Sequence, residues 1–129
     1  GWFGMPDNCA VDNQGRLWVA TDGNSYKGTK TTDGVWAMET EGDLRGTSKL
    51  FFRVPVGAEM CGPRFTPDDK TLFVAVQHPA TDNTKDWPEF GRSSSFEDPA
   101  TRWPDFKDDM PPRPSVVVIT KEDGGVIGV

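Results

Sequence analysis

The sequence predicts an all-β fold of two four-stranded antiparallel sheets, arranged as consecutive blades of a β-propeller. Three observations predict it. The 129 residues include 14 Gly and 11 Pro, a share of turn formers that favours short strands over helices. Short apolar runs alternate with turn residues, and no stretch keeps helical spacing for more than two turns. The strand pattern also occurs twice, as repeated blades require.

The first half, residues 1–56, contains four candidate strands joined by short turns. A hairpin joins the first two through a turn that contains Gly15, which can adopt positive φ. The second strand is continuously apolar, so we expect it to be buried on both faces. The four candidate strands lie at residues 9–11, 17–20, 35–38 and 50–54.

The second half, residues 57–129, repeats this pattern, and Leu72 aligns with Leu17. A long insertion, residues 79–114, separates its second and third strands. The aromatic residues of this insertion need a surface to pack on, which indicates an ordered segment, whereas the serines at 93–95 favour a flexible loop. The four candidate strands lie at residues 63–66, 72–76, 115–119 and 126–129.

Two blades cannot close a propeller ring, so both sheets would have open edges. We therefore expect this chain to pack against remaining blades of a larger protein, or else to self-associate through its edges or be marginally stable. The sequence opens at Gly1 without an initiator Met, which suggests an excised fragment, and it contains no signal peptide or apolar run of membrane-spanning length.

Charge and residue content exclude several function classes. The net charge of −6 argues against binding to nucleic acid or to an anionic membrane, although most of the acidic excess can be a solvated surface. Cys9 and Cys61 form no CxxC pair, and the single histidine, His78, rules out a His-rich zinc site; we interpret both cysteines as small buried side chains. No nucleophilic triad or phosphate-binding loop is present, which leaves metal-assisted hydrolysis.

Four residues are candidate metal ligands because of their places in the blades. Asp7 and Asn8 precede the first strand of one half, and Glu59 precedes the first strand of the other. Asp22 follows a second strand, and in a blade these positions open on the same face. Their oxygen atoms suit Ca²⁺. The alternatives are an Asx-turn at residues 7–8, a turn at Asp22 and an exposed Glu59 on a Gly-rich loop.

Several ordered motifs span nearly the whole chain: PDN at 6–8, GRLW at 15–18, TDG at 21–23, GAEMCGP at 57–63, FTPD at 65–68, QHP at 77–79, WPDF at 103–106 and PRPSVV at 112–117. These motifs resemble the C-terminal part of the PhoX-type alkaline phosphatases. The 57–63 string together with QHP is the most specific part of this resemblance, because sugar-lactonase propellers have entries similar to PDN.

The resemblance implies a six-bladed propeller, exported to the periplasm or outside the cell, that hydrolyses phosphomonoesters. It further implies a calcium and iron centre on the propeller axis, to which Asp7, Asn8 and Glu59 would contribute. The iron-bound cysteine and the phosphate-binding residues would lie in other blades, so neither Cys9 nor Cys61 is assigned to them. With an incomplete ligand set, the isolated chain is expected to show no appreciable phosphatase activity, and whether it binds any metal stays open from the sequence alone.

Two other functions stay open from the sequence alone. One is a sugar-lactonase-like propeller with a single divalent cation, and the other is a non-catalytic propeller that mediates interactions. Turnover of p-nitrophenyl phosphate by the larger protein would select the phosphatase, and lactone hydrolysis without it would select the lactonase. Absence of both activities and of bound metal would leave the interaction module.

Overall fold

The computed structural model describes residues 2–128, which form two antiparallel sheets. The strands of the first sheet, in spatial and chain order, are β1 (Pro6–Val11), β2 (Leu17–Thr21), β3 (Gly34–Met38) and β4 (Ser48–Arg53). Those of the second are β5 (Glu59–Phe65), β6 (Thr71–Gln77) and β7 (Ser115–Thr120). The all-β prediction is thus confirmed, with a single-turn 3₁₀ helix at Thr84–Asp86. Among the described residues, no helix is long and apolar enough to cross a membrane.

The fourth strand predicted for the second half is wrong, and its sheet has three strands. Residues 126–128 form no strand, and Val129 lies outside the described residues. Ile127 is instead buried in the core, and its N–H donates to the carbonyl of Asp69 at 2.9 Å. The Arg16 guanidinium donates to two carbonyls of the same segment. These contacts bind the segment to the first hairpin, through Arg16, and to the β5–β6 turn, through Asp69, instead of the edge of β7.

The core lies between the two sheets. Trp18 of β2 is fully buried and packs edge-on against Phe65 of β5, with ring centroids 5.0 Å apart, and against Phe51 of β4, at 4.9 Å. Burial of a large apolar side chain contributes about 1.5–3 kcal/mol. The buried cluster comprises Trp18, Ala20, Val35, Val54, Ala58, Met60, Leu72, Val74, Val76 and Ile127.

The two faces of β2 are both covered, as its continuous apolar run predicts. Trp18 and Ala20 face the second sheet's side of the core, whereas Val19 pairs with Trp36 of β3 in the ladder. Val19 and Trp36 are both buried, and the ring of Phe3 lies 5.9 Å from that of Trp36. The N-terminal residues thus cover the far side of the first sheet.

The outer face of the second sheet is apolar and uncovered. Phe73 pairs with Val118 across β6 and β7, and Ala75 pairs with Val116. Phe73, Val116 and Val118 are all exposed, at 36%, 67% and 57% respectively. An exposed patch of β-branched and aromatic residues on a sheet is typical of a surface that packs against another element.

The insertion is ordered against the rest of the chain. Trp87 is buried, and its ring packs edge-on against Tyr26 of the first half at 5.7 Å. The prediction that its aromatic residues need an outside surface is confirmed for Trp87. It is confirmed also for Trp103, which packs against the core cluster and, within the insertion, on Phe106, with ring centroids 5.9 Å apart.

Candidate metal centre

The candidate ligands lie at one end of the strands in each sheet. In the first sheet β1 begins opposite the end of β2, and Pro6 pairs with Thr21. In the second sheet β5 begins opposite the end of β6, and Glu59 pairs with Gln77. Asp22 directly follows β2. The candidate ligands therefore lie at or next to two pairs of strand ends, one pair in each sheet.

Asp7, Asn8 and Glu59 lie inside strands and not in the entry loops that the sequence indicated. β1 begins at Pro6 and β5 at Glu59, because ladder pairing continues to the ends of both hairpins. Glu59 is nonetheless the first residue of β5, and Asp7 and Asn8 are the second and third residues of β1, so all three lie at strand starts.

A β-bulge near the start of each of these strands brings their backbones together. In β1 the register shifts between Pro6 and Cys9, and in β5 it shifts between Cys61 and Arg64. The N–H of Gly62 donates to Oδ1 of Asn8 at 3.1 Å. Bulges commonly redirect a side chain next to a functional site. Here Gly62, in the bulge of β5, fixes the amide oxygen of Asn8, in the bulge of β1.

Asp22 is a partly buried carboxyl group that faces other acids. Its N–H donates to the carbonyl of Met5 at 3.0 Å, which holds the turn after β2. Burial raises the pKa of Asp22, and repulsion from Glu59 and Asp33 raises it further, while His78 opposes the shift. The charges of Asp22 and Glu59 therefore repel each other.

The pKa of the Cys61 thiol responds to several of the same acids. Burial raises its pKa, followed by the charges of Glu59, Asp7 and Asp22. Three of the residues that the sequence singled out thus act on one thiol. Neither cysteine forms a disulfide, and the interpretation of both as buried is wrong: Cys9 is exposed at the bulge in β1, and Cys61 is half-buried.

Glu59 is the most buried of these acids, and it is hydrogen-bonded to the end of β6. Its Oε2 accepts a hydrogen bond from Nε2 of Gln77 and lies 3.1 Å from Nε2 of His78. Nδ1 of His78 lies 2.8 Å from Oγ1 of Thr81. Burial alone would lower the pKa of His78, but the hydrogen bond to Glu59 and the charge of Asp82 outweigh it and raise that pKa.

A second grouping joins Asp22, His78 and Asp82, whose potential donor atoms lie within 4.8 Å of one another. The sequence argument did not single out Asp82, which lies in the insertion. It is brought back by the chain reversal after β6, where His78 and Ala80 have φ of 33° and 70°. No residue pattern signals this reversal, because non-glycine residues rarely adopt positive φ.

The arrangement has the chemistry of a cation site. It offers carboxylate oxygens and an amide oxygen, which are the ligands that Ca²⁺ accepts at flexible angles. In the part of the chain that the structure describes, His78 is the one side chain that forms an ion pair with any of these acids. The acids are Asp7, Asp22, Glu59 and Asp82.

Comparisons with known proteins agree with this description. The sequence profile of the alkaline phosphatase PhoX family matches residues 1–80. The structure is similar to that of Pseudomonas fluorescens PhoX in complex with vanadate, a transition state analogue, with a TM-score of 0.69 and 34% sequence identity. The similarity covers 95% of this chain and 19% of that one. No curated protein sequence matches the chain.

Proposed function

The chain belongs to the PhoX alkaline phosphatase family, and from this premise we propose that it is one part of a metal-dependent phosphomonoester hydrolase. The observation that carries the proposal is that donor atoms of Asp22, His78 and Asp82 lie within 4.8 Å of one another, while Nε2 of His78 lies 3.1 Å from Glu59. The relative of known structure was solved with a transition state analogue bound. Since this chain spans 19% of that protein, the complete activity belongs to the larger enzyme.

Within this enzyme, the two sheets are consecutive blades of a six-bladed propeller, with residues 1–56 and 57–129 as the two units. The uncovered apolar face of the second sheet, with Phe73, Val116 and Val118, packs against a further blade. In the absence of that blade the same face and the open sheet edges favour self-association. The enzyme acts in the periplasm or outside the cell, as the family resemblance implies.

The metal ligands proposed here are Asp7, Asn8, Asp22 and Glu59. Their oxygen donors fit calcium, and the pKa of Asp22 is raised by burial and by the charges of neighbouring acids, a shift that a bound cation would oppose. Iron is proposed on the family resemblance. When bound, such ions lower the pKa of a coordinated water and stabilise charge on phosphoryl oxygens.

The role proposed for the residues of this chain is to bind the metal ions and to hold the ligand atoms in position. Oδ1 of Asn8 is held by the N–H of Gly62, and Glu59 is held from the end of β6. Both side chains are therefore fixed by hydrogen bonds within the protein, which limits the entropy lost when they bind an ion. Groups that contact the phosphate itself come from other blades.

Phosphatase assays with p-nitrophenyl phosphate test the proposal. The purified chain is expected to show no turnover, because its ligand set is incomplete. In the full-length enzyme that contains this segment, Glu59→Gln is expected to lower kcat/KM by about 100-fold. The control is Glu89→Gln in the exposed part of the insertion, which should keep wild-type activity. Chelator-sensitive turnover by the isolated chain, or full activity of Glu59→Gln, would contradict the proposal.

A further inference from the structure

We propose that Gln77 and His78 are positioning residues that together hold one carboxylate oxygen of Glu59, so that the other oxygen faces the cation. The inference rests on the proposed function, because it requires a cation at this site. Both hydrogen bonds that the described residues donate to Glu59 end on Oε2. Oε1 is the oxygen left for coordination.

The two donors reach the same oxygen through different geometry. Gln77 lies directly opposite Glu59 in the β5–β6 ladder, so their side chains point to the same face of the sheet. His78 is the next residue, and in a continued strand its side chain would point to the opposite face. The strand ends there instead, and His78 has a φ of 33°, a left-handed conformation that brings its ring back to Glu59.

The ring of His78 is itself fixed. Its Nδ1 lies 2.8 Å from Oγ1 of Thr81, and the N–H of Thr81 donates to the carbonyl of Gly57 at 3.1 Å. Both ring nitrogens are therefore occupied, one by Glu59 and one by Thr81. Coordination of an ion by His78 would require the loss of one of these hydrogen bonds. The geometry thus favours His78 as a donor to Glu59 over His78 as a metal ligand.

Because Glu59 is buried, these hydrogen bonds offset the cost of removing its carboxylate from water. The residue is 9% exposed, and a buried carboxylate is costly unless donors satisfy it. Two donors on Oε2 lower that cost and also fix the rotation of the carboxylate group. Partners of this kind around a metal ligand change metal affinity by 10–100-fold, roughly, when they are removed.

The first test uses the metal-free chain. A double-mutant cycle with His78→Leu and Glu59→Leu, followed by urea unfolding, measures whether the two side chains interact. We expect the effects on the unfolding equilibrium constant to be non-additive by about threefold or more. Additive effects would overturn the inference, whatever the chain does with cations. The smaller pair His78→Ala and Glu59→Ala, which also lacks the donor and the acceptor, gives the same test if the leucine variants do not fold.

The second test follows Ca²⁺ titrations by amide NMR shifts in the wild-type chain, His78→Gln and His78→Leu. The glutamine amide can donate to Glu59 as Nε2 does, whereas leucine cannot. We expect His78→Leu to weaken Ca²⁺ binding by about tenfold and His78→Gln to restore most of the loss. Equal binding by all three proteins would overturn the positioning role.

Two further outcomes separate this inference from the proposed function. Equal losses in His78→Gln and His78→Leu would overturn the inference in favour of His78 as a ligand, while the cation site would stand. A wild-type chain with coupling between His78 and Glu59 but without any Ca²⁺ response would refute the cation site, and with it the role assigned to Oε1.

Discussion

Opposite ends of β2 carry acids in opposite electrostatic settings. Asp12, in the turn that leads into the strand, is buried and accepts hydrogen bonds from Nε of Arg16 at 2.7 Å and Nε1 of Trp18 at 2.8 Å. Burial alone would raise its pKa, but these bonds and the Arg16 charge hold that pKa below its usual value. At the other end, burial and neighbouring acids raise the pKa of Asp22.

The difference separates a structural site from a candidate functional one. At the Asp12 end, Arg16 neutralises the carboxylate charge. Arg16 also donates to the carbonyls of Ile127 and Gly128, which joins the two halves of the chain. The Asp22 end gathers acids from both sheets and leaves most of their charge uncompensated. Perturbed carboxyl groups of the second kind are typical of functional sites.

The largest effect expected from this comparison is on the Asp12 end. Asp12→Asn leaves the buried Arg16 without its ion pair, so we expect a loss of about 4 kcal/mol in the free energy of unfolding, measured by urea denaturation. The matched control is Asp22→Asn at the other end of β2. Equal destabilisation by both substitutions would remove the distinction between the two ends.

A smaller loss in the free energy of unfolding is expected at Gly57, where the backbone packs closely near the candidate ligands. Gly57 has a φ of 76°, and a Cβ there would lie 2.7 Å from the N of Thr81. Gly57→Ala should therefore destabilise the chain by about 2 kcal/mol, from backbone strain and contact with the loop that holds His78. Gly42, with a φ of 69° and open space around it, is the control. Thermal unfolding should show Gly42→Ala to be the milder change, and the reverse order would contradict the packing described.

Acid should remove only part of the Asp12 contribution, because a protonated carboxyl group still accepts hydrogen bonds. The pKa of Asp12 is lower in the folded than in the unfolded chain, so the unfolded state binds the proton first. Its stabilisation is present above the ordinary carboxyl pKa and is lost as pH falls through the folded-state value. Urea midpoints between about pH 5 and pH 2 should fall less steeply for Asp12→Asn than for the wild type. Parallel curves would show that Asp12 does not titrate in this way.

The smallest effect is expected at Asp22 in the metal-free chain. Asp22→Asn removes one of several mutually repelling acids, so we expect a change of at most about 1 kcal/mol, in the stabilising direction. Thermal melts in the presence of a chelator measure it. A clear loss of stability would mean that Asp22 forms favourable interactions in the absence of any cation.

The same contrast shows how far the sequence could predict the structure. The strands at 17–20 and 72–76 were predictable because continuous apolar runs between turn residues are local signals. The places of Asp7 and Glu59 at the starts of β1 and β5 also followed from equivalent positions in two repeats. Both predictions depend on periodicity, which a sequence displays directly.

The features that the sequence did not reveal depend on tertiary contacts or unusual backbone. The segment around Ile127 forms no strand because the core, Asp69 and Arg16 compete for it. Asp82 joins the site because non-glycine residues at 78 and 80 adopt positive φ, which no residue pattern signals. The proposed positioning of Glu59 by His78 depends on the same chain reversal after β6.

The most direct test of the account is a Ca²⁺ titration of the isotope-labelled chain at millimolar concentrations, followed by amide NMR. The account predicts shifts confined to the residues around Asp7, Asp22 and Glu59, with none around Asp12 and Arg16, whose charges already neutralise each other. Shifts of similar size at both ends, or at neither, would contradict the claim that one end of these sheets is built to receive a cation.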